Sequence, residues 1–206
     1  MIVVVDYGVG NLGSIKNMLR KLGVDAQISA KPEDIKKATK LILPGIGAFD
    51  AGITHLRNSG LVDLLHTRAL EDCIPVLGIC LGAQLMTRSS EEGVEQGLGW
   101  FAADTRKMTF TGIEGRWPLP NIGWRDVQGR AGYALTAHFD ETPRFYFVHS
   151  YYLHPDDPTL ISISTSYGFD FACGLNQGNL HSAQFHPEKS HKFGMRFLRN
   201  FVEIES

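Results

Sequence analysis

Pro75-Val76-Leu77-Gly78-Ile79-Cys80-Leu81-Gly82-Ala83-Gln84 is the stretch on which the fold turns. Val76 to Ile79 is a short apolar run, as expected of a strand buried on both faces of a parallel sheet. Leu81 to Arg88 reads as the helix that follows it. Between the two stands Cys80, with a glycine two residues away on each side. This is the thiol counterpart of the G-x-S-x-G nucleophile elbow. A nucleophile so placed occupies a sharp, strained turn, and strand and helix pack closely only where its neighbours lack Cβ atoms. The first N–H groups of the helix then face the sulfur, where they favour thiolate and can donate to a developing oxyanion.

The same alternation extends upstream. Ile2-Val3-Val4-Val5 is a second buried strand, and Asn11 to Leu22 a helix with Ile15, Met18, Leu19 and Leu22 on one face and Gly23 as its stop. Ala26 to Ser29 and Leu41 to Leu43 are further strands, and a helical pair broken near Ser59-Gly60 covers Ala48 to Leu70. Strand–helix alternation of this kind predicts right-handed βαβ units in a parallel sheet with helices on both faces. Downstream of Trp100 the pattern changes to short β-rich pieces: Phe145 to His149, Leu160 to Thr165, Phe171 to Asn176 and Leu180 to Phe185. These are expected as antiparallel strands beside or within the same sheet. Ser190 to Ile204 closes the chain as an amphipathic helix carrying Phe193, Phe197, Leu198 and Phe201 on one face. The expected fold is one α/β domain over residues 1–206, a central mixed, mostly parallel sheet with flanking helices and a smaller antiparallel portion.

Composition narrows the function. With 20 basic and 22 acidic residues the net charge is -2, too little positive field for a nucleic-acid partner. No apolar run reaches membrane-spanning length and no signal peptide is read at Met1, so neither membrane nor export is expected. Three cysteines argue against a disulfide framework and for a reducing, cytoplasmic compartment. Cys73 and Cys173, without a glycine two residues away on each side, read as buried structural cysteines. No histidine or cysteine spacing suggests a metal, and no cofactor is expected.

A thiol nucleophile needs a base and an orienter. Among eight histidines, His186 stands out in Gln184-Phe185-His186-Pro187-Glu188-Lys189-Ser190. Pro187 holds His186 extended. Strand periodicity puts Glu188 on the same side, where a carboxylate can fix the imidazole tautomer. His55, His66 and His191 read as solvated helix residues, whereas His138, His154 and His181 receive no role.

These residues carry a family resemblance. Gly-Ile-Cys-Leu-Gly-x-Gln followed far downstream by Phe-His-Pro-Glu-Lys-Ser resembles the class I (triad) glutamine amidotransferases. Leu43-Pro44-Gly45-Ile46-Gly47 is similar to the family's oxyanion strand, and Val148-His149-Ser150-Tyr151 to its glutamine-holding segment. Val5-Asp6-Tyr7-Gly8-Val9-Gly10-Asn11-Leu12 and Ile122-Gly123-Trp124 narrow the likeness to glutaminase subunits of imidazole glycerol phosphate synthase. The resemblance implies that Cys80 attacks the side-chain amide of L-glutamine, that His186 relays protons and that Glu188 orients it. It further implies that backbone N–H groups of Leu81 and of the Gly45, Ile46, Gly47 turn stabilise the oxyanion, and that Gln84, Ser150 and Tyr151 hold the substrate. The implied partner is a (β/α)8-barrel synthase (cyclase) forming a heterodimer with an ammonia tunnel, and Asn11 and Trp124 are expected at that interface.

Alternatives remain at this level. Gly8-Val9-Gly10-Asn11-Leu12-Gly13 matches G-x-G-x-x-G but lacks the acidic residue about 20 positions on that a dinucleotide site requires. A decayed regulatory subunit would need a missing triad member, and other cysteine hydrolases share the elbow without the opening segment. Within the family, Asn121 and Arg125 stand where Pro-His-Met-Gly-Trp-Asn is usual, in a segment expected near the synthase. That admits a paralogue supplying ammonia to a sugar-modifying amidotransferase of surface-polysaccharide synthesis. Trp124 has a competing reading as a core side chain between the β-rich part and the sheet.

Overall fold

The computed structural model describes residues 1–205. The chain runs β1 (Ile2–Val5), α1 (Leu12–Lys21), β2 (Ala26–Ser29), α2 (Pro32–Lys37), β3 (Lys40–Gly45), α3 (Phe49–Asn58), α4 (Val62–His66), β4 (Val76–Cys80) and α5 (Leu81–Leu85). It continues with β5 (Ala103–Lys107), β6 (Asn121–Asp126), β7 (Gln128–Gly129), β8 (Arg144–His149), β9 (Tyr151–Pro155), β10 (Ile161–Tyr167), β11 (Phe169–Gln177), β12 (Leu180–Ala183) and α6 (His191–Glu203). A π-helical turn, Thr67–Glu71, prolongs α4.

The sheet order is β2-β1-β3-β4-β12-β11-β10-β7. The first five of these strands are all parallel to their neighbours. Beyond β12 the pairing becomes antiparallel through β11, β10 and β7, with β9 and β5 joining at β11. β6 and β8 form a separate antiparallel pair. The apolar strands divide by side-chain alternation. Val3, Val5, Leu41, Leu43 and Val76 enter a core with Phe49, Ile53, Leu56 and Leu65 of α3 and α4. Ile2, Val4, Ile42, Leu77 and Ile79 enter the opposite core, with Ile15 and Leu19 of α1 and Phe193, Phe197 and Phe201 of α6. Burial on both faces is why these strands read as continuous apolar runs.

Several elements differ from the sequence expectation. The helix after Cys80 ends at Leu85, not Arg88. Its carbonyls are taken by the following loop: Leu98 N–H donates to Leu85 O, Phe101 N–H to Met86 O and the Thr87 hydroxyl to Gln84 O. β12 is antiparallel to β11, as expected, but also parallel to β4, so it is the strand at which the parallel part of the sheet passes into the antiparallel part. The short helix α2 and strands β5, β6, β7 and β9 have no counterpart in the sequence reading. Cys73 is exposed, at φ +51°, and is not a core cysteine, whereas Cys173 is buried.

Candidate active site

The parallel register brings the site together. Gly45, last residue of β3, lies opposite Cys80, last residue of β4, and β12 on the other side of β4 leads into His186. Cys80 sits at φ +53°, ψ -112°, a conformation costing an L-residue about 1–3 kcal/mol that persists only where the surroundings enforce it. They do so through the two glycines. A Cβ on Gly78 would meet Ala83 backbone at 2.8 Å, and one on Gly82 would lie 1.8 Å from the Leu43 carbonyl oxygen. Strand and helix are thus in backbone contact on both sides of the thiol.

His186 is extended, at φ -104°, ψ 95°, as its position before proline demands. Its Nδ1 lies 2.8 Å from Glu188 Oε1, and both side chains are 2% exposed. Strand alternation is not what joins them: Pro187–Lys189 is a turn of 3-10 helix, and that turn folds the carboxylate back onto the ring. Nε2, the other ring nitrogen, is buried without a hydrogen-bond partner among the described residues. The Cys80 sulfur acts on it electrostatically, without a closed S–H···N hydrogen bond. Burial pushes the His186 pKa down, yet the Cys80 thiol and the Glu188 carboxylate outweigh it and raise the value to about 10.

Around this pair opens a cleft of about 380 Å³ lined by Ile46, Gly47, Cys80, Leu81, Gln84, Glu92, Pro120, Val148, His149, Ser150, Tyr151, His186 and Lys189. All of the residues expected to serve the oxyanion and the substrate line it except Gly45, which is buried just beneath. Gln84 is nearly buried and donates to Gln184 Oε1 at 3.0 Å, so its amide faces the protein as well as the cleft. Gly47 adopts φ +99°, and its turn projects Ile46 into solvent at 48% exposure.

Two neighbours of the thiol escaped the sequence reading. Gln184 is fully buried and its Nε2 lies 3.8 Å from Cys80 Sγ. Tyr7 packs under the Gly45–Gly47 turn and donates to Pro44 O at 2.6 Å, with burial keeping its phenol protonated well above the ordinary range. Sequence offered little sign of either, because both act through partners distant in the chain.

The expected interface residues lie at the surface. Asn11 is exposed at the start of α1, and its side chain does not cap that helix. Trp124 is 38% exposed and stacks on His191 with ring planes 5° apart, so it does not fill the core. Asn121, by contrast, is fully buried on β6 and presents nothing to a partner. Among the other histidines, His66 is not merely solvated: its Nδ1 accepts from Trp100 Nε1 at 2.8 Å. His181 is buried against the Tyr133 hydroxyl at 3.0 Å.

The buried histidines set opposite pH slopes. Burial lowers His149 and His181 to about 4, so both are neutral when folded and bind protons on unfolding below about 6.5. Stability from this source is lost as pH falls from 6.5 toward 4. His186 is raised, so its contribution is full below about 6.5 and lost as pH climbs toward 10. The melting temperature is therefore expected to peak near neutral pH. His186→Gln removes the alkaline decline and keeps the acid one; an unchanged alkaline limb in that variant would contradict the assignment.

Comparison with known proteins agrees with the geometry. The family model "Glutamine amidotransferase class-I" matches residues 3–204. Imidazole glycerol phosphate synthase subunit HisH 2 of Pseudomonas aeruginosa is 48% identical over 204 residues, covering 99% of this chain and 100% of the relative. The subunit of the same name in Methanococcus maripaludis is 47% identical over 203 residues (98% and 99%). HisH of Leptospira interrogans is 40% identical over 204 residues, 99% and 100%. A crystal structure of a glutamine amidotransferase superposes with a TM-score of 0.75 at 21% identity, covering 98% of each chain, which speaks for the fold. By its sequence relatives and by the family model spanning nearly its full length, the chain belongs to the class I glutamine amidotransferases, among the HisH subunits of imidazole glycerol phosphate synthase.

Proposed function

We propose that this chain is the glutaminase subunit of an imidazole glycerol phosphate synthase, hydrolysing L-glutamine to glutamate and ammonia for histidine biosynthesis. The observation that carries the reading is the convergence on one cleft of a strained thiol, a buried His–Glu pair and a glycine turn in register with the thiol.

The chemistry follows from the arrangement. Cys80 thiolate attacks the amide carbon of glutamine, and the negative charge that develops on oxygen is met by N–H groups of Leu81 and of the Gly45–Gly47 turn. His186, protonated and held by Glu188, gives its proton to the leaving nitrogen. Ammonia departs and a γ-glutamyl thioester remains on Cys80. Neutral His186 then takes a proton from water, the hydroxide attacks the thioester, and glutamate leaves as the thiolate is restored. Gln84, Ser150 and Tyr151 hold the amino-acid end.

The acceptor is built by a second chain. Ile46, Leu119, Ile122 and Trp124 are large exposed apolar residues, and Ile46 lies on the rim of the cleft itself. Such a grouping favours a protein partner. A (β/α)8-barrel cyclase seated over this rim and over Asn11 would receive ammonia through a tunnel without release to water. The setting is cytoplasmic, in keeping with three cysteines that are all unpaired.

The turn at Gly45–Gly47 also bears on control. A glycine turn holds more than one backbone arrangement, and a partner can bias which one faces the oxyanion. Glutaminase turnover is therefore expected to be low in the free chain and to rise by roughly two or more orders of magnitude when the barrel subunit, loaded with its nucleotide substrate, is added. A coupled glutamate assay measures this. Free-chain turnover equal to that of the complex removes the switch. Stimulation by a sugar-modifying amidotransferase instead of the barrel moves the same glutaminase to another acceptor.

A further inference from the structure

A file of polar groups runs from the edge of the β6–β8 pair to the cleft. Arg125 Nε and Nη2 both donate to Asn121 Oδ1, at 3.1 and 3.0 Å, while the guanidinium lies 4.6 Å over the Tyr167 ring. Asn121 Nδ2 is 3.0 Å from His149 Nε2, and His149 Nδ1 is 2.7 Å from the Tyr151 carbonyl oxygen. Asn121 and His149 face each other in the strand register, and both are buried.

The direction of every bond is forced from the two ends. A guanidinium only donates and a carbonyl only accepts. Asn121 must therefore give its oxygen to Arg125 and its N–H to His149. The imidazole then has a bare Nε2 and a proton on Nδ1. Burial, with His186 and Arg125 nearby, lowers the His149 pKa to about 4, so the ring stays neutral at neutral pH and repels no proton from His186. Substitution by any side chain that cannot both accept from Arg125 and donate to His149 breaks the file.

Its far end is the corner between β8 and β9. Ser150 O accepts from Met108 N–H at 3.0 Å, and Tyr151 O accepts from His149. Both carbonyls of the corner are thus tied off, and Ser150 and Tyr151 line the cleft. We propose that Asn121 and Arg125 are positioning residues for glutamine: they fix His149 as its Nδ1–H tautomer, which holds the Ser150–Tyr151 corner in the orientation that receives the substrate. This rests on the reading that Ser150 and Tyr151 bind glutamine. Neither Asn121 nor Arg125 touches a reacting atom.

Asn121→Asp is the diagnostic variant, because a carboxylate of the same shape still accepts from Arg125 but cannot donate to His149. The new carboxylate also raises the pKa of the ring, so the comparison is made at a pH where the variant's ring is neutral: its single proton then moves to Nε2, and Tyr151 O loses its donor. In the complex with the synthase subunit, KM for glutamine is expected to rise roughly tenfold, the worth of one well-made hydrogen bond, while kcat changes by less than about threefold. Long-range ¹H–¹⁵N spectra of the imidazole read the tautomer directly: Nδ1–H in the parent chain, Nε2–H in the variant. Arg125→Met, at a half-buried site that retains the apolar stem, gives a smaller KM rise and guards against a folding defect at the buried position. An Nε2–H tautomer in the parent chain overturns the proposal, as does an Asp variant with parental KM. A parent complex with no glutaminase at all would instead sink the functional reading, and that result appears before any variant is made.

Discussion

A Cys80→Ala chain folds, binds its synthase and hydrolyses glutamine at least ~10⁴-fold more slowly than the parent, because no other group on the cleft can form the thioester. The fold tolerates the change. The thiol is 8% exposed and small, so its loss opens little space and costs about 1 kcal/mol. Alanine at φ +53° carries the same backbone strain as cysteine, so the elbow is neither relieved nor worsened. Cys173, buried in the core, and Cys73, exposed in the loop before β4, should both tolerate alanine with near-parental turnover. A glutamine-derived electrophile followed by peptide mass mapping provides the second check. Label on Cys73 or Cys173, or parental turnover in Cys80→Ala, would remove Cys80 from the chemistry.

A large loss of stability is expected at Gly82→Ala. The added methyl would sit 1.8 Å from Leu43 O, 2.7 Å from Leu43 C and 3.2 Å from Pro44 C, all backbone atoms of β3. No rotamer relieves a clash with a strand hydrogen-bonded on both edges, so strand or helix must shift by more than an ångström. Destabilisation above ~4 kcal/mol follows, enough to leave little folded protein at 37 °C. Whichever element moves also separates Gly45 from Cys80, so any folded remainder is a poor glutaminase. Gly13→Ala is the control: within α1, where the new Cβ meets nothing within 4 Å beyond its chain neighbours and its own helix backbone, it should stabilise the free chain by roughly 0.5–1 kcal/mol. Chemical denaturation compares the two, and a Gly82→Ala chain as stable as the parent would show that the elbow does not need backbone contact.

How far the sequence reading reached has a physical logic. β1, β3 and β4 are buried on both faces, so apolar runs announced them. β5, Ala-Asp-Thr-Arg-Lys, and β6, Asn-Ile-Gly-Trp-Arg-Asp, each keep one face in solvent, and their polar residues hid the alternation. The early end of α5 was invisible because it is imposed by Leu98 and Phe101 arriving from a later loop. Cys80 and His186 were legible because each needs local chemistry: glycines for contact in one case, a following proline in the other. Gln184, Tyr7 and the Asn121–His149 file were not, since each owes its role to a neighbour supplied by another strand. Asn121 and Arg125 were read as partner-facing from their place in a motif, and only the inward register of β6 reveals what they hold.

β4 lies between β3 and β12, with a packed core on each face. Amide groups so enclosed exchange with solvent only when the whole domain opens. Cys80 is thereby mounted on a strand expected to open only with the whole domain, whereas the facing Gly45–Gly47 turn leaves the sheet and reaches solvent within two residues. One jaw of the site lives on the timescale of global unfolding and the other on that of a surface loop. A partner that gripped only the second jaw would leave the first undisturbed.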